Sequence, residues 1–135
     1  MKRILFACKH NSGRSQMAEG FAKFLSLDGF SFQSAGTNPS ETVNPLVVLA
    51  MKEKGIDILD NKPKLLTDSM LSSVDMVITM GCSVDQVYDI SSVISEDWKL
   101  EDPAGQTIEK IRIIRDQIED KINERLCTNK PHPNF

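Results

Sequence analysis

The segment Cys8–Ser15 constrains the fold more than any other part of the chain, because it joins two patterns that meet in an α/β unit. The apolar run Ile4–Ala7 in front of it predicts a buried strand. Behind it, Met17, Phe21 and Phe24 recur at helical spacing and predict an amphipathic helix. A loop between a buried strand and a helix N-terminus turns successive backbone N–H groups inward. The segment therefore predicts a cradle for an anion.

The rest of the sequence continues the alternation of strands and helices. The patterns predict a strand at 30–36, a helix around Leu46, Leu49 and Ala50 that stops at Gly55, a short helix at 67–71, a strand at 74–80 and a long amphipathic helix along Ile108, Ile111, Ile114 or Arg115, Ile118, Ile122 and Leu126. This alternation implies a parallel sheet with right-handed crossovers. The length of 135 residues indicates one domain, which we expect to span 1–127 with a mobile tail at 128–135.

Composition and charge exclude several classes of function. The formal net charge of −3 argues against a nucleic-acid-binding surface, which would normally be basic. The chain has no apolar run near the roughly 18 residues of a membrane span. The positive start Met1–Arg3 resembles a signal peptide, but the apolar run behind it is too short, so we expect a cytoplasmic protein. The three cysteines, Cys8, Cys82 and Cys127, are odd in number and widely spaced, unlike a secreted disulfide framework.

The residue types of the loop suit a nucleophile that works on an oxyanion. Cys8 opens the loop, so its sulfur is expected at the floor of the cradle, where a thiolate is favoured. The planar guanidinium of Arg14 can grip two oxygens of a tetrahedral oxyanion at once. Ser15 can hydrogen-bond the sulfur, and Asn11 and Gly13 suit left-handed backbone. The predicted oxyanion-binding set is Lys9, His10, Asn11, Ser12, Gly13, Arg14 and Ser15.

This loop resembles the phosphate-binding loop of low-molecular-weight protein tyrosine phosphatases and of the thioredoxin-coupled arsenate reductases built on the same fold. The stretches typical of the reductase branch are Arg14–Gly20, Ser34–Thr37, Val43–Pro45, Met51–Asp57 and Trp98–Gly105. The similarity runs from Lys2 to about Arg125. It implies a three-layer α/β sandwich with a central, mostly parallel sheet of about four strands. It implies no metal or organic cofactor for the reaction, while some relatives bind a structural potassium ion, a point that the sequence leaves open. We expect a monomer.

The resemblance also assigns roles to four residues. It implies that Cys8 is the nucleophile, that Arg14 binds the oxyanion, and that Asp102 before Pro103 is the general acid. Glu101 is adjacent, but the family has its acid directly before the proline. Reductases of this type carry a second cysteine after the strand at 74–80, and Cys82 stands there. The resemblance implies that its thiolate attacks the arsenylated nucleophile, releases arsenite and leaves a disulfide. Cys8 ends one strand of the predicted parallel sheet and Cys82 follows another, so we expect both cysteines at the same edge.

The sequence departs from the reductase pattern at one place. Relatives usually carry a third cysteine six or seven residues after the second, where this chain has Tyr88 and Asp89. Cys127 could substitute, but an incidental thiol near the end of the last helix is the simpler interpretation. The reductant is therefore expected to be external, either a thioredoxin-like protein or a small thiol. His10 and His132 lack metal-ligand spacing with the cysteines, so no metal site is predicted.

Three functions remain open from the sequence. Arsenate reduction fits best, with arsenate or a phosphate-like anion as substrate. A phosphatase on phosphotyrosine or a small phosphoester would use the same Cys8, Arg14 and Asp102 without needing Cys82. Aromatic residues make up only 6% of the chain and none clusters near the loop, which places the phosphatase second. An oxyanion-binding or thiol-sensing module without turnover is the non-enzymatic alternative.

Overall fold

The computed structural model describes residues 2–25, 28–81, 90 and 93–126. Within these ranges the chain forms four strands and four helices in the order β1 Lys2–Cys8, α1 Arg14–Phe24, β2 Phe30–Gly36, α2 Pro45–Lys52, α3 Asp68–Ser73, β3 Met76–Thr79, β4 Ile94–Asp97 and α4 Ile108–Leu126. Each strand and helix predicted from the sequence is present, with ends that differ by a few residues. The edge strand β4 was not located from the sequence, because only one of its four residues is even half-buried.

The four strands form one parallel sheet in the order β2-β1-β3-β4. Alternate residues of β1 point to opposite faces. Ile4, Phe6 and Cys8 face a core shared with α1, α2 and α4, whereas Leu5 and Ala7 face a smaller core that includes Leu71 of α3. The predicted three-layer α/β sandwich with a parallel sheet is therefore confirmed.

The buried face of α2 differs from the one that the sequence suggested. Leu46 and Leu49 marked this helix in the sequence, yet both are exposed. The buried residues are Val47, Ala50 and Met51, one residue further round the same helix. The helix was predicted correctly because both sets share its period, and only the packing of α2 on α4 selects between the two faces.

Ion pairs attach α4 to α2. Arg112 and Arg115 of α4 both reach Glu53, with shortest nitrogen–oxygen distances of 2.7 Å in each case. Arg115 is buried and also donates to the backbone carbonyl of Ala50 at 3.0 Å. Hydrogen bonds from Arg112 and then Arg115 lower the pKa of Glu53 from 4.5 to about 2. The carboxylate is therefore held in its charged form across the ordinary pH range.

Two expectations concern the ends and the surroundings of the chain. Among the described residues, no helix is both long enough and apolar enough to cross a membrane. The domain boundary predicted at residue 127 and the tail at 128–135 lie outside the described residues and stay predictions.

Candidate active site

The backbone of the loop after β1 is turned so that its carbonyls face outward. Four loop carbonyls accept hydrogen bonds from backbone N–H groups that follow β2: Cys8 from Thr37 at 3.1 Å, Lys9 from Asn38 at 2.7 Å, His10 from Ser40 at 3.0 Å and Ser12 from Asn44 at 2.9 Å. The peptide bonds of the described ranges include no cis bond. Because a trans peptide holds its N–H opposite its carbonyl, the N–H groups that follow these carbonyls point toward the interior of the loop.

The sulfur of Cys8 lies at the floor of this loop. The side chain is buried, and Sγ is 3.1 Å from the backbone nitrogen of Asn11 and 2.8 Å from the hydroxyl oxygen of Ser15. Helix α1 begins at Arg14, directly beyond the loop, and Gly13 at its N-cap provides no side-chain cap. The positive end of the helix therefore faces the same space as the sulfur, which favours an anion there.

Asn11 holds the loop from inside. It has a φ of 49°, which fits the left-handed conformation expected for it, and it is fully buried. Its side-chain nitrogen donates to Ser15 Oγ at 2.7 Å, and its side-chain oxygen accepts from the backbone N–H of Lys64 at 2.9 Å. A residue interpreted as a turn former thus connects the loop to a segment 53 positions away.

Arg14 connects the loop to the carboxyl end of β3. Its Nη1 donates to the carbonyl of Met80 at 2.9 Å and to that of Leu100 at 3.1 Å. Its Nη2 lies 3.8 Å from the carboxylate of Asp102. A guanidinium carries five N–H groups in a rigid fork, so the other edge of Arg14 is able to contact a bound oxyanion.

The segment after β4 brings Asp102 to the loop by way of its neighbour. Pro103 is buried against Gly13, where an added Cβ would lie only 2.5 Å from Pro103 Cγ. The carboxylate of Asp102 is half exposed and accepts the backbone N–H of Ala104 at 2.9 Å. Glu101 forms an ion pair with Lys110 on α4 at 2.9 Å, so it is engaged elsewhere.

The expectation that Gly13 supplies left-handed backbone is wrong. Its φ is −143°, outside the left-handed region. The reason for a glycine is the close approach of Pro103, which leaves no room for a side chain. This contact joins residues 13 and 103, so the local sequence could not reveal it.

Comparison with known proteins gives the loop its context. The family described as Low molecular weight phosphotyrosine protein phosphatase matches residues 3–130. This chain belongs to that family. A relative named Glutaredoxin arsenate reductase, from Synechocystis sp., is 40% identical over 129 residues, which cover 94% of this chain and 98% of the relative. A relative named Putative arsenate reductase, from Halobacterium salinarum, is 38% identical over 122 residues, covering 87% of this chain and 85% of the relative.

The solved structures agree with the sequence relatives. A structure described as an arsenate reductase in the phosphate binding state matches this low-molecular-weight phosphatase fold with a TM-score of 0.84. The two proteins are 37% identical, and the match covers 94% of this chain and 98% of the other. The family predicted from the loop and its flanking motifs is therefore confirmed.

Some of the residues that the sequence predicted for the site lie outside the described residues. Cys82 lies outside the described residues, as do Tyr88, Asp89 and Cys127. What the structure does describe is Gly81, whose N–H donates to Asp97 at 2.7 Å next to the end of β3. Because β3 pairs with β1 and ends beside Ala7, the chain leaves β3 at the sheet edge that carries the loop. The role of Cys82 stays a prediction.

Lys9 and His10 lie at the rim of the loop. Lys9 is exposed, and the Nδ1 atom of His10 is 3.0 Å from the carbonyl oxygen of Asn38. Neither takes part in a metal cluster: within the described ranges, no group of three or more His, Cys, Asp or Glu side chains could hold a metal ion.

Sequence reasoning missed two buried polar side chains on α1, those of Glu19 and Gln16. Glu19 is buried, accepts a hydrogen bond from the Ser34 hydroxyl and forms ion pairs with Lys23 and, at 3.8 Å, with Lys64. Its spacing of four from Ser15 places it on the same helix face, which was the available signal. Gln16 is also buried and donates to Asn11. Its position directly after the loop offers no comparable signal.

Proposed function

We propose that this chain is an arsenate reductase with a single catalytic domain over residues 1–127 and Cys8 as its nucleophile. The observation that carries the proposal is the geometry at Cys8, whose sulfur receives the Asn11 N–H at 3.1 Å at the positive end of α1. The relatives named arsenate reductase, 40% and 38% identical over most of the chain, support arsenate as the substrate. The phosphate-bound structure of a similar protein supports a tetrahedral oxyanion in the loop.

In the binding step, the loop holds arsenate above Cys8. The backbone N–H groups of the run from Lys9 to Ser15 and the N-terminus of α1 provide donors that point to one centre. The edge of Arg14 that does not contact Met80 and Leu100 adds a charged, planar donor pair. Donors fixed in advance stabilise the charge that develops during attack without having to reorganise.

In the chemical step, the Cys8 thiolate forms a bond to arsenic while one arsenate oxygen leaves as water. Asp102 supplies the proton that this oxygen needs, from its position beside Arg14. The Cys82 thiolate then attacks the Cys8 sulfur. A sulfur–sulfur bond forms, the sulfur–arsenic bond breaks, and its electron pair stays on arsenic, which leaves as arsenite. The enzyme is left with a Cys8–Cys82 disulfide.

The cycle closes only when external thiols return two electrons to that disulfide. Tyr88 occupies the position where many relatives have a third cysteine. The sequence therefore provides no third thiol at that position to attack the Cys8–Cys82 disulfide. The Synechocystis relative is named for glutaredoxin, which supports a glutaredoxin or a small thiol as the reductant. Because such thiols stay reduced in the cytoplasm, the proposal also assigns the protein to that compartment.

Phosphoester hydrolysis is the second candidate, because Cys8, Arg14 and Asp102 suffice for it and the family includes phosphotyrosine phosphatases. Aromatic substrates usually meet aromatic side chains at the mouth of a site. In the described part of the chain, four aromatic rings instead pack together: Phe6 stacks on Phe32, Phe32 on Phe30, and Trp98 lies against Phe6. Phe24 is exposed, at the end of α1 opposite the loop. This arrangement favours a small inorganic anion over phosphotyrosine.

A side-by-side assay tests the proposal. Arsenate reduction is measured with glutathione alone, with glutathione plus glutaredoxin, and with thioredoxin plus its reductase, and p-nitrophenyl phosphate hydrolysis is measured on the same sample. We expect arsenite formation that depends on an added thiol system and exceeds the rate of hydrolysis. Hydrolysis without arsenite formation under any reductant would contradict the proposal and favour the phosphatase.

A further inference from the structure

Gln16 lies behind the loop, on the side away from the oxyanion. It is fully buried in the first turn of α1. Its Nε2 donates to Asn11 Oδ1 at 3.1 Å and to the Lys62 carbonyl at 3.4 Å, and its Oε1 accepts from Asn61 Nδ2 at 3.2 Å. We propose that Gln16 is a positioning residue that fixes, through Asn11, the direction of the hydrogen bonds that reach Cys8. This inference rests on the proposed role of Cys8 as nucleophile.

A backbone donor fixes the orientation of the Asn11 amide. The atom 2.9 Å from the N–H of Lys64 must be an acceptor, so it is Oδ1. The amide nitrogen then faces Ser15 and donates to Oγ at 2.7 Å. Since Ser15 Oγ accepts this bond, its own hydrogen is available for the sulfur of Cys8 at 2.8 Å. With the Ser15 hydroxyl as donor, the sulfur receives two hydrogen bonds, one from Ser15 and one from the Asn11 backbone N–H.

Gln16 reinforces this orientation of the Asn11 amide, because its Nε2 is the second donor to Asn11 Oδ1. The orientation of Gln16 is fixed in turn, since the Lys62 carbonyl accepts and therefore faces its nitrogen. Asn61 supplies the matching donor to the Gln16 oxygen. The amides of Asn11 and Gln16 therefore each have their direction set at a backbone group, and the series ends at Cys8.

Two substitutions of Gln16 separate loss of the donor from its reversal. Gln16→Leu removes one hydrogen bond to Asn11 and leaves the Lys64 N–H in place. Gln16→Glu puts a carboxylate oxygen opposite Asn11 Oδ1, so two acceptors would meet at about the hydrogen-bond distance. That clash opposes the orientation that the Lys64 N–H sets. Wherever the Asn11 amide turns, its oxygen would accept from Ser15. The Ser15 hydrogen would be withdrawn from Cys8.

The test follows Cys8 directly and needs no turnover. Iodoacetamide alkylation of Cys8 at neutral pH is measured by peptide mass mapping, together with the ultraviolet absorbance of the thiolate. We expect alkylation to slow by about fivefold in Gln16→Leu, the value of one typical hydrogen bond, and by more in Gln16→Glu. Because Gln16 is directed away from the oxyanion, kcat should fall while KM changes little. The matched control is Gln33→Leu on β2. Gln33 is not part of this series of hydrogen bonds, so Cys8 in this variant should be alkylated at the parental rate.

Several outcomes would overturn the inference. Parental alkylation in both Gln16 variants would do so, as would a rate in Gln16→Glu equal to that in Gln16→Leu. If neither variant folds, Asn61→Ala decides, because it removes the partner of Gln16 at the exposed end of the series and should also slow the alkylation of Cys8. A parental rate in that variant would also overturn the inference. Failure of the proposed function would appear separately, as absent turnover in a parent protein whose Cys8 still alkylates.

Discussion

Gly13→Ala tests how closely the loop after β1 packs against the segment that contains Asp102 and Pro103. The added Cβ would lie 2.5 Å from Pro103 Cγ, whereas carbon atoms in contact prefer about 3.5–4.0 Å. Pro103 or the loop must therefore move by about 1 Å. Asp102 precedes Pro103 directly, so its carboxylate moves with the proline. A displacement of about 1 Å can cost about 10²-fold in rate, and we expect a loss of that size in kcat for arsenate reduction.

A double-mutant cycle shows whether that loss passes through Asp102. Asp102→Asn alone should slow turnover by about 10²- to 10⁴-fold, the usual range for a positioned general acid. In the Asp102→Asn background, Gly13→Ala should reduce turnover little further, because the carboxylate that it would displace is already absent. The matched control is Gly20→Ala in α1, where the nearest atom to the new Cβ is the flexible end of Met51 at 3.1 Å and the other neighbours lie at 3.4 Å or more.

The comparison uses kcat for each variant, with thermal melting to establish that each is folded. Parental turnover in Gly13→Ala would refute the inference that Pro103 sets the position of the Asp102 carboxylate. Losses that multiply in the double variant would also refute it, since they would mean that Gly13 acts independently of Asp102.

Two further predictions concern Arg14 and Glu53. Arg14→Lys keeps the charge but loses the planar guanidinium that contacts Met80 and Leu100 and is proposed to bind the oxyanion. Turnover should therefore fall by about 10²- to 10³-fold. Calorimetry of phosphate binding and kcat check this prediction, and near-parental values would contradict it. The lowered pKa of Glu53 means that its ion pairs stabilise the fold above pH 4.5 and that this contribution is lost as pH falls toward about 2. The melting temperature of Glu53→Gln should therefore approach that of the parent at the acid end of this range, and an unchanged gap across it would contradict the assignment.

The sequence predicted the strands and helices with strong periodicity and the site segments that are contiguous in the chain. The run Cys8–Ser15 needs only its neighbouring strand and helix to be recognised. β4 was not located because an exposed edge strand carries little alternation of apolar residues. The exposed position of Leu46 and Leu49 depends on how α2 packs against α4, and a helical period alone does not fix that.

Contacts between distant parts of the chain account for the rest of the site. The approach of Pro103 to Gly13 and the bond from Lys64 to Asn11 join segments far apart in sequence. The burial of the Gln16 amide could not be predicted from the sequence either, because a polar residue at the start of a helix is ordinarily assigned to the surface. Only the folded backbone shows that these side chains share one network.

The most direct measurement is peptide mass mapping after arsenate is added to the fully reduced protein without any reductant. The parent should form about one arsenite per enzyme and accumulate a Cys8–Cys82 disulfide, because the two electrons for arsenic come from those sulfurs. Cys82→Ser should form no arsenite yet keep any hydrolysis of p-nitrophenyl phosphate. Arsenite formation by Cys82→Ser at the parental rate, or a parent that forms arsenite without this disulfide, would contradict the reductase mechanism.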